Sequence, residues 1–318
     1  MKEALEQFFI AVMAITVALA AGCSSGGSQV ECETDKDCPW PKACIEGVCV
    51  GGSSGDGGTV DENTGSDTGP IPDIDCNLQC PAGTSCTSSG DTLEMYCENG
   101  QGGKTGPART YYPDGTLQAE YGYDENGQLH GDIATYYPDG TKASEGHFEH
   151  GKEHGTFTTY YPDGKKESEI SYDNGVLQGP AKAWWPNGNL KYEGQFDQGM
   201  YAGHWIWYYE SGNKEKEGDF VGGTECGPWT FYYDSATPCP ANTCQVESTG
   251  HRQDGIECGA WQYFWPNGQK KAEGSYYGAD QDGNAVKCGQ WSEYDEAGTL
   301  MNTPVFDDCP AGGLCGSC

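Results

Sequence analysis

Residues 106–306 repeat one short phrase eight times in register, and this limits the possible folds more than any other feature of the chain. Two copies show it: Gly155-Thr-Phe-Thr-Thr-Tyr-Tyr-Pro-Asp-Gly164 and Gly179-Pro-Ala-Lys-Ala-Trp-Trp-Pro-Asn-Gly188. The opening glycines are Gly106, Gly131, Gly155, Gly179, Gly203, Gly227, Gly259 and Gly289. The period is 24 or 25 residues and stretches to about 30 in copies six and seven. A fixed period of this size marks a stacked repeat architecture, in which a unit buries its apolar face only against its neighbours. It also means that no single copy reads as a catalytic motif.

Each copy has the same internal order. Six alternating residues follow the glycine and end in two aromatics. Next comes a turn such as Pro113-Asp114-Gly115, Pro138-Asp139-Gly140, Pro162-Asp163-Gly164, Pro186-Asn187-Gly188 or Pro266-Asn267-Gly268. Proline presets φ, and Asp or Asn followed by Gly accepts the positive φ of a tight hairpin. The second run carries a Glu and then an aromatic: Glu145 and Phe148, Glu169 and Tyr172, Glu193 and Phe196, Glu217 and Phe220, Glu273 and Tyr276. A second turn, such as Asn174-Gly175, closes the copy. The pattern therefore predicts strand, turn, strand, turn.

Strand side chains alternate between faces. Trp205, Trp207 and Tyr209 share one face, as do Trp229, Phe231 and Tyr233, and Trp261, Tyr263 and Trp265. The other face is polar except at its last position, which is aromatic in every copy: Tyr111, Tyr136, Tyr160, Trp184, Tyr208, Tyr232, Phe264 and Tyr294. Equivalent residues of successive copies should lie roughly 10 Å apart, two strand spacings. The predicted fold is all-β: an elongated antiparallel β-meander or solenoid of about eight β-hairpin repeats, with small disulfide-rich N-terminal modules.

The phrase Gly-x-[Trp/Phe]-x-x-Tyr-Tyr-Pro-[Asp/Asn]-Gly-x-x-x-x-Glu-Gly-x-[Phe/Tyr] resembles the bacterial variant of the MORN repeat, a family often catalogued as antitoxin-like. The resemblance covers about two thirds of the chain. Copy six departs from it with Asp234-Ser235-Ala236 and a cysteine-bearing insertion, and copy eight ends early. The resemblance implies a hairpin-repeat scaffold used for binding, with no shared reaction. Its catalogue name implies a second possibility, an antitoxin or immunity protein that neutralises a toxin partner.

The N-terminus reads as an address. Phe8 to Ala21 is apolar but too short to cross a bilayer as a helix. Leu19-Ala20-Ala21-Gly22-Cys23 resembles the lipobox of bacterial lipoproteins, which implies a signal peptide at 1–22, lipidation of Cys23 and membrane attachment through it. A tether follows at 23–29. The expected localisation is export to the outer membrane, facing the periplasm or the surface.

Cysteine usage agrees with export. Removing Cys23 from the 17 cysteines leaves an even set of disulfide candidates. They are Cys32, Cys38, Cys44 and Cys49; Cys76, Cys80, Cys86 and Cys97; and Cys226, Cys239, Cys244, Cys258, Cys288, Cys309, Cys315 and Cys318. Even clusters in an exported chain read as disulfides, with connectivity left open. Cys226, Cys258 and Cys288 each precede an opening glycine, so one repeat should separate them beyond the ~7 Å Cα limit for bridging. They should instead pair with inserted or terminal cysteines unless the ladder is distorted. Residues 30–50 form a small Cys-rich module, 51–75 an acidic Gly/Ser linker expected to be disordered, 76–105 a Cys-stapled N-terminal cap and 307–318 a Cys-rich C-terminal cap.

A formal charge of −31 excludes nucleic acid and anionic lipid as partners, because phosphate binding needs clustered cations. His147, His150 and His154 straddle a turn and read as exposed turn residues. Asp280-Gln-Asp282-Gly-Asn284 resembles the start of a calcium loop but lacks its later glycine and glutamate. No metal or cofactor is expected. The repeated Glu120, Glu145, Glu169, Glu193, Glu217 and Glu273 read as a structural ladder paired with Lys142, Lys166, Lys191, Lys214 or Lys270, because a catalytic carboxylate pair needs a unique site. No nucleophile elbow, phosphate loop or triad is evident, so the chain reads as non-enzymatic. The candidate binding stripe is the eight-residue aromatic row from Tyr111 to Tyr294, whose planar rings suit a protein or a cell-envelope glycan. The competing reading of that row is cross-strand packing.

Overall fold

The computed structural model describes residues 42–45, 48–51, 76–89, 93–235, 245–280 and 282–309. They fall in two units, Met1–Gly69 and Pro70–Cys318. In the first, β1 (Lys42–Ile45) and β2 (Val48–Gly51) form an antiparallel hairpin with Cys44 opposite Cys49. The second unit holds one antiparallel sheet of 19 strands.

Each repeat supplies an outgoing and a return strand. The outgoing strands are β5 (Lys104–Tyr111), β7 (Gly131–Tyr136), β10 (Gly155–Tyr160), β12 (Val176–Trp184), β14 (Met200–Tyr208), β16 (Thr224–Tyr232), β18 (Ile256–Phe264) and β20 (Ala285–Tyr294). The return strands are β6 (Leu117–Tyr123), β8 (Lys142–Glu149), β11 (Lys166–Asp173), β13 (Leu190–Asp197), β15 (Lys214–Val221), β17 (Val246–Gln253), β19 (Lys270–Ala279) and β21 (Leu300–Asn302). A two-residue β9 (Lys152–Glu153) pairs with β8. The hairpin β3 (Thr84–Ser89) and β4 (Glu94–Asn99) continues the same sheet by pairing with β5. Two disulfides, Cys76–Cys86 and Cys80–Cys97, staple this first hairpin. At the other end Cys288 is bonded to Cys309. Cys226 and Cys258 are also disulfide-bonded.

Two kinds of turn alternate. In the Pro-Asp-Gly turns only the glycine has positive φ, for example 81° at Gly164. Tyr161 N–H donates to Lys165 O and Gly164 N–H to Tyr161 O, the pattern of a three-residue loop ending in a left-handed glycine. The Asp is there as an acceptor: Asp139 Oδ1 takes Thr141 N–H at 2.8 Å. In most second turns both central residues are left-handed, as at Asn174 (51°) and Gly175 (82°), which is the two-residue type I′ geometry, whereas the turns ending in Gly127 and Gly283 repeat the hydrogen bonding of the first kind.

The insertion in copy six changes the loop and leaves the ladder intact. β16 and β17 pair from Gly227↔Arg252 to Tyr232↔Val246. Outgoing strands therefore stay two strands apart throughout, whatever the sequence spacing.

The core lies on the tryptophan face. Trp205, Trp229, Trp261 and Trp291 are each at most 1% exposed. Each indole lies flat over a glycine of the preceding return strand: Gly194, Gly218, Gly250 and Gly274. Phe157 lies over Gly146 in the same way. A Cβ at any of these glycines would sit 2.1–2.3 Å from a ring atom. Where the return strand instead carries Ile170, the residue opposite is Ala181, so bulk is conserved across the interface. The rings Trp205, Trp207, Trp229, Phe231, Trp261, Tyr263 and Trp291 form an unbroken ladder with centroids 5.6–6.4 Å apart. Bases lie over it: Lys216 over Trp207, Arg252 over Phe231 and Lys287 over Trp291. Arg252 stands where other copies have Phe or Tyr.

The second aromatic of each Tyr-Tyr pair ties one repeat to the next. Tyr112 OH donates to Tyr136 O, Tyr137 to Tyr160 O, Tyr161 to Trp184 O, Tyr209 to Tyr232 O and Tyr233 to Phe264 O. Trp185 and Trp265 do the same through Nε1, to Tyr208 O and Tyr294 O. The Tyr161→Phe variant is expected to lose about 1 kcal/mol, the net worth of one such bond, measured by urea unfolding.

Candidate binding face

The aromatic row expected as a binding stripe lies on the face opposite the tryptophans. Tyr111, Tyr136, Tyr160, Trp184, Tyr208, Tyr232, Phe264 and Tyr294 sit at the ends of successive outgoing strands, and all eight are half-buried. Most ring tips are fixed. Tyr136 OH donates to Glu120 at 2.7 Å, Tyr160 to Glu145 at 2.5 Å, Tyr208 to Glu193 at 2.9 Å and Tyr294 to Glu273 at 3.0 Å. Tyr232 OH bonds Glu217 in the same way. Each hydroxyl thus reaches the glutamate of the preceding copy, so the row and the glutamate ladder are one structure.

A bulge makes the ladder's lysine pairs possible. Residues three apart on a regular strand face opposite sides. In each hairpin the register shifts beside the turn, as between Thr159↔Ser168 and Tyr160↔Lys166, leaving Glu167 unopposed. The bulge returns lysine and glutamate to one face. Lys142 meets Glu145 at 2.7 Å, Lys214 meets Glu217 at 2.6 Å and Lys270 meets Glu273 at 2.7 Å, and Lys166 is bonded to Glu169. Lys191 does not join the ladder. It occupies the bulge position and lies 4.7 Å over the Trp185 ring, and Glu193 is met by Lys182 at 3.2 Å instead. Arg109 stands 3.8 Å from Glu120.

These contacts set the protonation of the face. Lys142, bonded to Glu145, holds that carboxyl below the usual range with help from Tyr160, and Lys270 does the same for Glu273. Burial first, then the bond to its glutamate, pushes Tyr136 and Tyr160 up to about 12. A phenol raised on folding stabilises the fold fully below its ordinary value, and that contribution is lost as pH rises through the raised value. Tyrosinate absorbance of the native chain should therefore lag behind that of the unfolded chain between about pH 10 and 12. The lagging fraction should titrate together with the loss of β-sheet circular dichroism.

The other sequence candidates resolve separately. His147 Nδ1 faces Asp132 at 2.7 Å and His150 Nδ1 faces Asp124 at 3.0 Å, while His154 lies 3.4 Å from Asp173. His150 is the left-handed first residue of a turn (φ 48°). Each histidine has its own carboxylate, and among the described residues no three metal-ligating side chains converge. Asp280 Oδ1 accepts the N–H groups of Asp282 and Asn284, so this carboxylate closes its own turn. Cys23, Cys32, Cys38, Cys239, Cys244, Cys315 and Cys318 lie outside the described residues, as do the signal peptide, the tether and most of the linker.

The family described as MORN repeat variant matches residues 104–125, 129–150, 153–174, 177–198, 202–221 and 257–276. The hairpins β16–β17 and β20–β21 fall outside those matches yet continue the same ladder. No curated protein matches the chain. Among solved structures, a GtfA/B complex bound to UDP and GlcNAc is similar at 16% identity over 37% of this chain and 25% of that chain, with a TM-score of 0.24. A TcdB2-TccC3-Cdc42 structure is similar at 11% identity over 69% of this chain and 13% of that chain, with a TM-score of 0.18. The chain spans a quarter or less of the length of either, and likenesses this slight carry no argument. The six in-register matches, laid on hairpins of one sheet, mark those segments as repeats of the MORN variant type.

Proposed function

We propose that this chain is a non-enzymatic, exported lipoprotein whose repeat sheet is a rigid binding platform for a protein or a cell-envelope glycan. The observation that carries the reading is the half-buried aromatic row. Its rings recur on every second strand, and five are fixed by hydroxyl–glutamate bonds. A surface held this way loses little side-chain entropy when it engages a ligand. The glutamates that could suggest acid–base chemistry are spent on the same lattice, each beside a lysine or arginine, which does not split their roles into acid and base. The lipobox-like Leu19-Ala20-Ala21-Gly22-Cys23 supplies the anchor.

The test is protease shaving of intact cells with mass spectrometry of the released peptides and of residue 23. Lipidated Cys23, with the chain in the membrane fraction, is the expected result. Repeat peptides released from intact cells would put the platform on the surface, and protection would put it in the periplasm. An unlipidated chain found free in the medium would overturn the lipoprotein reading.

A further inference from the structure

We propose that the aromatic row binds an extended, uncharged β-linked polysaccharide along its length, with one ring engaging every second sugar. This rests on the platform reading above and narrows its ligand. The argument starts from spacing. The row falls on β5, β7, β10, β12, β14, β16, β18 and β20, with one return strand between each pair of neighbours. Two strand spacings put successive rings about 10 Å apart. The insertion between β16 and β17 lengthens the chain between Tyr232 and Phe264, but β17 still pairs with both β16 and β18, so the period persists there.

A ligand gripped by such a row must share its period. An extended peptide presents same-face side chains about every 6.6 Å, two residues at ~3.3 Å, and falls out of step within one repeat. In an extended β-linked glycan alternate pyranose rings are turned over. Every second ring then offers the same C–H face, and a two-sugar repeat is close in length to the two strand spacings, ~10 Å, that separate rings of the row. Pyranose C–H faces pack on planar aromatic rings, and the lattice beside the row (Glu145–Lys142, Glu217–Lys214) offers donors and acceptors to sugar hydroxyls.

Charge selects within the class. A chain of formal charge −31 repels polyanionic glycans, while on the face itself most ladder carboxylates are matched by a lysine or arginine. The fit is to an uncharged polymer.

The test uses the full-length mature chain and neutral β-1,4-linked oligosaccharides (cello- and chito-oligosaccharides of increasing length) in calorimetric titrations, with extended peptides and heparin in parallel. Affinity for the neutral sugars is expected to rise in two-sugar steps and to change little with salt. Trp184→Ala should weaken binding roughly tenfold, and Tyr160→Ala/Trp184→Ala/Tyr208→Ala should abolish it. Trp184→Ala and Phe264→Ala remove no hydroxyl–glutamate bond, so as single variants they keep the test decisive if the triple variant does not fold. Binding that ignores sugar length or survives these substitutions would overturn the proposal. Row-dependent binding of a peptide or of heparin, without the neutral sugars, would overturn it and leave the platform standing. If no ligand binds in a row-dependent way, both readings fall.

Discussion

Gly218→Ala should cost about 3 kcal/mol, although it adds a single methyl group. The new Cβ would stand 2.3 Å from the Trp229 ring, and the indole cannot retreat because it is 0% exposed with Phe220, Trp207 and Phe231 around it. Overpacking of a closed site typically costs 1–3 kcal/mol, and the ring's rigidity places this case near the top of that range. Trp229→Ala should cost ~3–5 kcal/mol on its own, as a large aromatic deleted from a core does. The decisive variant is the double one. With the indole gone the added methyl has room, so Gly218→Ala/Trp229→Ala should be no less stable than Trp229→Ala alone. The coupling would then be about as large as the full cost of Gly218→Ala. Urea unfolding with tryptophan fluorescence measures all three. Copy three already shows the alternative solution, with Ile170 facing Ala181. If the two costs simply add, the glycine is needed for some reason other than the ring above it.

The period-two alternation and the Pro-Asp-Gly turns made the strands and the sidedness of the rows legible in the sequence. Trp205 and Trp229 are buried as their alternation implies, and the Tyr160 row is on the other face. What the sequence did not disclose depends on pairing between strands. The bulge at Glu167 leaves no local mark, yet it decides that Lys166 and Glu169 share a face and that Lys191, one position on from the turn-side site, does not reach Glu193. The repeated Glu-Gly of the return strands was visible as a motif. Its reason, an indole laid over the glycine from the next copy, belongs to the stacking of repeats. The tyrosines that hold Tyr136 O or Tyr160 O read simply as apolar-face residues, because their hydroxyl partners are backbone atoms about 24 residues away. Copy six departs from the phrase at Asp234, yet Val246–Gln253 pairs with both of its neighbours as a regular return strand does, which no local signal in that segment marks.

The Cys288→Ala/Cys309→Ala variant should lose about 3 kcal/mol, and the loss should be confined to the last repeats. The bond closes a separation of 21 residues, and chain-entropy estimates for loops of this size are near 3 kcal/mol. Its position matters as much as its size. Residues 304–307 fold back on β20, with Gly289 N–H donating to Asp307 O and Phe306 N–H to Gly289 O, both at 2.9 Å. Lys287 lies between the Trp291 and Phe306 rings, and Trp291 is 1% exposed at this end of the tryptophan ladder. β21 is only three residues long and wholly exposed, so it holds the tail weakly. Without the disulfide the tail should fray, and Trp291 should lose part of its cover. Repeats stabilise one another only through nearest neighbours, so this damage should fade within one or two copies. Residues 98–225 contain no cysteine and should keep their protection. Hydrogen exchange followed by peptide mass spectrometry reads this directly, as faster exchange in β20 and β21 with unchanged exchange in β8–β13. A uniform rise in exchange across all repeats would instead mean that the sheet unfolds as one cooperative unit, and the nearest-neighbour account of its stability would be wrong.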